Sequence, residues 1–291
     1  MFIVALYLYD YYFLQNDTYY CIFASIIIVF LTGVYDDFKD ICSKKKFLFI
    51  IIATILAFID GFTINSLGNY FGYELTLGYF ALPFTIFAVV GFTNALNLTD
   101  GLDGLAGSIS IVILASLLYI GVINSDPILI YLPVFLISSL LAFLFFNWYP
   151  AKVFMGDSGS LFLGFSISIL SIYALEYINP ASILFLAAIP LLDTLIVMRR
   201  RKQRNQSLFV ADKNHLHHIL LNFKKDKIFT VATLIKLQLV FVLIFVQVHH
   251  QSDFINLILF TILFLVFFKL FDPRSQHRKK TKRSRKEKTH D

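Results

Sequence analysis

Acidic side chains interrupt an otherwise apolar sequence at a few places, and their spacing suggests phosphate and metal chemistry. YDDFKD at 35–40 carries Asp36, Asp37 and Asp40 directly after an apolar run. If the helix continues, Asp36 and Asp40 share a face at i, i+4. Bunched carboxylates repel unless a cation neutralises them, and a hard divalent ion such as Mg²⁺, with Mn²⁺ as its near substitute, suits oxygen donors. A solvated helix end is the plain alternative. NALNLTDGLDGLAG at 94–107 places Asp100 and Asp103 after Asn94 and Asn97. Gly101, Gly104 and Gly107 would let backbone or ligand approach closely, where a simple turn needs less. FMGDSGS at 154–160 puts Asp157 before a long apolar run. A helix start has unpaired N–H groups and a positive dipole end, so it attracts anions. An aspartate there could bring a metal to a phosphate, or act only as an N-cap.

Two further stretches add titratable groups. Asp193, in IPLLDT, lies about one turn inside an apolar run. An ionisable group there is costly unless it faces a polar cavity, pairs with nearby Arg199 or reaches the interface. SLFVADKNHLHHILL supplies Asp212, His215, His217 and His218. Three histidines could ligate zinc. No cysteine accompanies them, which favours hydrogen bonding to phosphate or sugar oxygens over a zinc site. Loop histidines without a shared role are the other alternative.

The elements that must position these residues are membrane spans. The 291 residues are 58% hydrophobic and 15% charged, with mean hydropathy +0.74. A soluble domain carries roughly 25% charge, and here the apolar residues come in blocks of spanning length, about 17–25 residues. Candidate spans cover 19–35, 47–62, 79–97, 106–123, 128–146, 160–177, 181–198, 230–248 and 254–271. The class is therefore an all-α polytopic membrane protein of about nine to ten spans. Alternation puts 36–46, 98–105, 147–159, 199–229 and the C-terminus on one side. That side holds every loop Lys and Arg, so it is expected to be cytoplasmic. All the acidic motifs and the histidines fall there.

Residues 1–271 read as the transmembrane domain and 272–291 as a basic cytoplasmic tail. The tail's nine Lys and Arg against three acids equal the whole net charge of +6. It could touch anionic membrane lipids, and no nucleic-acid-reading domain accompanies it. Residues 1–14 are apolar, short for a span and unlike a signal peptide. They read as the outer end of a preceding helix. Cys21 and Cys42 lie near opposite ends of one span, too far apart for a disulfide.

YDDFKD, NALNLTDGLDGLAG, VFMGDSGSLFLGF, IPLLDT and SLFVADKNHLHH, in this order, resemble the signature motifs of the polyprenyl-phosphate N-acetylhexosamine-1-phosphate transferases of the bacterial MraY/WecA type. The resemblance covers about 19–271 and is nearer the WecA/TagO branch than the muropeptide branch. It implies transfer of a sugar 1-phosphate, most naturally GlcNAc 1-phosphate, from a UDP-N-acetylhexosamine to undecaprenyl phosphate in the bacterial inner membrane, with release of UMP. It implies Mg²⁺ on Asp157, and Asp36 and Asp37 orienting or deprotonating the lipid phosphate. Lys46 would meet a phosphate. Asn94, Asn97, Asp100 and Asp103 would hold the nucleotide, and His215, His217 and His218 phosphate or sugar. It also implies a homodimer, and one further span and a basic loop before residue 1. Leu208 and Ile50 replace a proline and a glutamine common in the family.

Other classes fit less of the chain. An intramembrane aromatic prenyltransferase would use aspartates and Mg²⁺ but does not require FMGDSGS or HLHH. A transporter would place acids at mid-membrane. A non-catalytic lipid-binding scaffold, or an inactive fragment of the same family, is the remaining alternative.

Overall fold

The computed structural model describes residues 20–203 and 215–271. Asp212, the N-terminal stretch 1–19 and the basic stretch 272–291 lie outside the described residues. The helices are α1 (Tyr20–Lys39), α2 (Ser43–Ile59), α3 (Ala81–Thr99), α4 (Leu105–Asn124), α5 (Pro127–Asn147) and α6 (Gly156–Tyr173), followed by a short α7 (Ile183–Leu186), α8 (Ala188–Gln203), α9 (Leu216–Lys224), α10 (Lys227–Val248) and α11 (Asp253–Phe271). Turn chemistry sets their ends. Asp126 caps α5 by accepting from Leu129 N at 2.8 Å, with Pro127 in the first turn, where its missing N–H costs nothing. Asp226 caps α10 in the same way through Phe229 N at 3.1 Å.

Among the described residues seven helices are long and apolar enough to cross a membrane, or eight if the bent pair α7–α8 counts as one span. The chain is a multi-pass membrane protein of the all-α class, its described spans all helical. Two expected spans need correction. The second is α2, 43–59 rather than 47–62, and its 17 residues sit at the short limit. The seventh, expected as one run over 181–198, is broken, with α7 and α8 meeting at 89°. Pro190 lies four residues after Leu186 and has no N–H for its carbonyl, so the helical ladder fails there.

A hairpin was also missed in the loop 63–78. Strands β1 (Ser66–Tyr70) and β2 (Tyr73–Thr76) pair antiparallel, Tyr70 opposite Tyr73 and Asn69 opposite Glu74. Phe71 and Gly72 both take positive φ, 57° and 87°, as a two-residue hairpin turn requires. Its Phe71, Tyr73 and the following Tyr79 are exposed, and Phe71 packs on Phe254 of α11 at 4.6 Å. Asp253 ties this end together, accepting from Asn69 N at 2.8 Å and Ala181 N at 2.9 Å.

Helix α6 is the most buried of the described spans and is crossed by α1 and α3. Small residues permit the close crossings. A Cβ on Gly33 of α1 would lie 2.5 Å from the Asp157 carbonyl oxygen, and one on Gly164 of α6 would lie 2.8 Å from Thr93 Cα of α3. Helices α4 and α5 form an antiparallel pair, and α10 packs against α4. The ends of α1, α3 and α6 therefore converge on the face that carries the lysines. Cys21 and Cys42 are both free.

Candidate active site at the basic face

Lys46 is the hinge of the site. Its Nζ lies 2.6 Å from Asp36 Oδ2 and 2.5 Å from Asp157 Oδ2, joining the end of α1 to the start of α6. Asp36 is buried, and its other oxygen accepts from Ile41 N at 2.8 Å, which fixes the turn between α1 and α2. On α3, Asn97 donates to Asp157 Oδ1 at 3.1 Å and to Ser160 Oγ at 2.8 Å. Asp157 is therefore gripped from two sides, by an ammonium and by an amide.

Asp37 occupies the start of α6. Its two carboxylate oxygens accept from Asp157 N at 2.8 Å and Ser158 N at 3.0 Å. The dipole end expected to attract a phosphate is met by a carboxylate of the chain itself, an anion at a helix N-terminus. Gly156 carries φ of 65°, and a Cβ there would press on Asp37 Oδ2 at 2.8 Å. The glycine before Asp157 is what lets Asp37 dock.

The acidic loop lies alongside. Asp100 is held in a partly buried turn beside two other carboxylates. Burial first, then the charges of Asp157 and Asp103, push its pKa from 3.8 up to about 7. Asp103 accepts from Ala151 N at 3.4 Å and has Lys227 Nζ at 4.0 Å. Asn147, which sequence reasoning missed, clamps this loop to the segment before α6. It accepts from Gly104 N at 2.9 Å and donates to Val153 O at 2.8 Å.

The histidines join the site through Asp193. Asp193 is buried and pairs with His215 Nδ1 at 3.0 Å, while its other oxygen accepts from Leu216 N at 2.8 Å and caps α9. Arg199, one of the partners the sequence offered, instead stacks on Phe268, 4.3 Å from the ring centroid. His217 lies against the acidic loop, since a Cβ on Gly101 would sit 2.3 Å from His217 Nε2. Burial lowers the His217 pKa to about 4, against the pull of Asp193, so its ring is neutral at pH 7. His217 and His218 rings lie 4.2 Å apart.

The site thus unites Asp36, Asp37, Lys46, Asn97, Asp100, Asp103 and Asp157, with Asp193, His215, His217 and His218 at its edge. One expectation does not hold. Asp36 and Asp40 do not share a helix face, because α1 ends at Lys39 and Asp40 takes φ of 36°. Asn94 lies about one turn before Asn97 on α3, without a hydrogen bond to another described side chain. Ser160 was missed too, although its spacing of three from Asp157 is that of helix neighbours.

Residues 19–175 match the family described as glycosyl transferase family 4. A probable undecaprenyl-phosphate N-acetylglucosaminyl 1-phosphate transferase of Bacillus subtilis (strain 168) is 38% identical over 67% of this chain and 56% of its own length. The undecaprenyl-phosphate alpha-N-acetylglucosaminyl 1-phosphate transferase of Escherichia coli (strain K12) is 30% identical over 88% of this chain and 73% of its own. This chain belongs to glycosyl transferase family 4. A Yersinia pestis relative, named like the Escherichia coli one, is 34% identical over 72% of this chain and 60% of its own length. The chain thus spans less than two thirds of the length of the Bacillus and Yersinia relatives. In this family 4 chain the matched region carries Asp36, Asp37, Lys46, Asn97, Asp100, Asp103 and Asp157. The Asp193–His215 pair lies beyond it.

The donor set fits a hard divalent ion. Asp36 and Asp157 present carboxylate oxygens, the donors a hard cation prefers, to one point now taken by the Lys46 ammonium. Among the described residues no three His, Cys, Asp or Glu converge as a complete cage. Mg²⁺ is typically held by one or two carboxylates plus substrate phosphates, and this arrangement offers that pair.

Proposed function

We propose that this chain transfers N-acetylhexosamine 1-phosphate, GlcNAc 1-phosphate in the first instance, from a UDP-sugar to undecaprenyl phosphate. The observation that supports it is the junction of Asp36, Lys46, Asn97 and Asp157 at the membrane face, in a family whose similar members are named for this reaction. The orientation that goes with it puts the basic face in the cytosol of a bacterium and the spans in its inner membrane.

An oxygen of the lipid phosphate attacks the phosphorus that bears the sugar. The bond from that phosphorus to the bridging oxygen breaks, and UMP leaves. One phosphoanhydride replaces another, so no further energy source is required. A phosphate monoester loses its second proton near pH 6, so the acceptor is largely ionised at pH 7. The barrier is then mainly the repulsion of two anions, and positioning with positive charge meets it.

Lys46 supplies positive charge between Asp36 and Asp157, and its ammonium is placed to meet a phosphate oxygen. With the Lys46 ammonium moved from between them to a phosphate oxygen, Asp157 and Asp36 are the residues that would hold Mg²⁺, and the ion would offset phosphate charge. Asn97 and Ser160 fix the Asp157 rotamer. Asp37 holds the start of α6 in place. Asp100 and Asp103 bracket the nucleotide side, and neutral His217 offers a ring nitrogen to phosphate or sugar oxygens.

Membranes containing this chain, undecaprenyl phosphate and UDP-GlcNAc are expected to move labelled UMP into UDP-GlcNAc, the reverse half of the exchange. Absence of exchange with both UDP-GlcNAc and UDP-GalNAc, in protein shown to be folded, would overturn the proposal.

A further inference from the structure

The break between α7 and α8 leaves backbone polar groups in the interior of a membrane protein. Leu186 O would bond residue 190, but Pro190 has no N–H. The 89° bend also takes Ile189 N away from the helical ladder. An unsatisfied backbone group in a bilayer costs several kcal/mol, so broken spans persist only where something re-satisfies them. One side chain does both here. Gln238, on α10 and fully buried, donates from Nε2 to Leu186 O at 2.7 Å. Its Oε1 accepts from Ile189 N at 3.0 Å. The amide thus replaces the N–H that Pro190 lacks and meets the donor that the bend exposes.

The consequence is directional. Helix α8 leaves the break and carries Asp193 about one turn later. Asp193 fixes the His215 ring at 3.0 Å and caps α9 through Leu216 N. Helix α9 in turn carries His217, packed on Gly101 of the acidic loop. A straight continuation of α7 would aim α8, and Asp193 with it, elsewhere. We propose that Gln238 is a positioning residue: by holding the Pro190 break it sets where Asp193 and the histidines stand relative to the acidic loop. Its part in turnover rests on reading the basic face as a sugar-phosphate transferase.

The test compares Gln238→Leu with Gln238→Leu/Pro190→Ala in the full chain. Spin labels go on Lys152→Cys and Lys202→Cys, both at exposed positions, in a Cys21→Ser/Cys42→Ser background. Gln238→Leu is expected to lower the melting temperature, shift or broaden the label distance and cut transfer at least tenfold. The double variant gives Leu186 a helical N–H, so α7 and α8 can join. Melting is expected to recover with a new, narrow label distance, while transfer stays at least tenfold down. Should Gln238→Leu not survive extraction, the double variant carries the test alone. Wild-type distance and transfer in Gln238→Leu would overturn the proposal. So would a double variant that regains transfer together with stability, since Gln238 would then matter only for folding. If the unsubstituted chain shows no transfer, the transferase reading fails, and the label distance alone decides whether Gln238 holds the break.

Discussion

Asp100 and His217 face the same small region and titrate in opposite senses. Asp100 is raised from 3.8 to about 7, so the folded state holds a proton that the unfolded chain has released. Its contribution is full at low pH and is lost as pH rises through this window. By the usual conversion the whole shift is at most about 4 kcal/mol, less for a group only partly buried. His217 is lowered from 6.5 to about 4, so acidification through that range removes stability instead. Asp100→Asn should delete the loss on alkalinisation and keep the loss on acidification. Melting of detergent-solubilised protein from pH 4.5 to 7.5 reads this, and parallel curves for the two proteins would contradict it. At this scale the sequence displays side-chain types but not partners. Lys46 and Asp157 are 111 positions apart, and nothing local announces that one ammonium bridges Asp36 and Asp157. The Asp193–His215 pair was equally hidden, because the nearer Arg199 was the obvious counter-ion.

Between elements, the crossing of α1 over α6 decides whether the carboxylates meet. Gly33 touches backbone, not a movable side chain, with the Asp157 carbonyl oxygen and Ser158 Cα both 2.5 Å from a would-be Cβ. Gly33→Ala must therefore push the helices apart, at about 1–3 kcal/mol for overpacking. The shift would also draw Asp37 away from the α6 start, so transfer should fall more than tenfold. Gly91, on α3, has nothing within 4 Å and is the control. There alanine should be neutral or slightly stabilising through helix propensity. Equal melting temperatures for the two variants would refute the crossing. The spans were legible because apolar runs of membrane length have few other uses. The break at Pro190 was not, because hydropathy counts side chains and ignores a missing N–H. The hairpin escaped for a related reason: strands of five and four residues with a Phe-Gly turn carry little periodicity.

For the whole molecule, the lopsided lysines and arginines set the expected orientation. Lys44, Lys45 and Lys46, Lys152, Arg199 to Lys202, and Lys224, Lys225 and Lys227 share one face, and the hairpin face has none. Cys42 is exposed on the basic face beside those lysines. In a Cys21→Ser background, an impermeant maleimide should label inverted inner-membrane vesicles and spare intact spheroplasts. The reverse pattern would invert the topology and place the site away from cytosolic nucleotide sugar. Both faces hold buried carboxylates, but they differ in use. Asp126 is occupied by the Tyr173 and Tyr177 hydroxyls at 3.0 and 2.8 Å, and Asp253 by backbone N–H groups. On the basic face Asp36 and Asp157 instead converge on the ammonium of Lys46.

The most direct test supplies membranes bearing this chain with undecaprenyl phosphate, Mg²⁺ and UDP-GlcNAc labelled in the sugar, and follows label into the organic phase. Lipid-linked label that disappears in Asp157→Ala is the expected result. Folded protein that leaves the organic phase unlabelled, or label that persists at the same rate in Asp157→Ala, would contradict a transferase centred on the Asp36–Lys46–Asp157 junction.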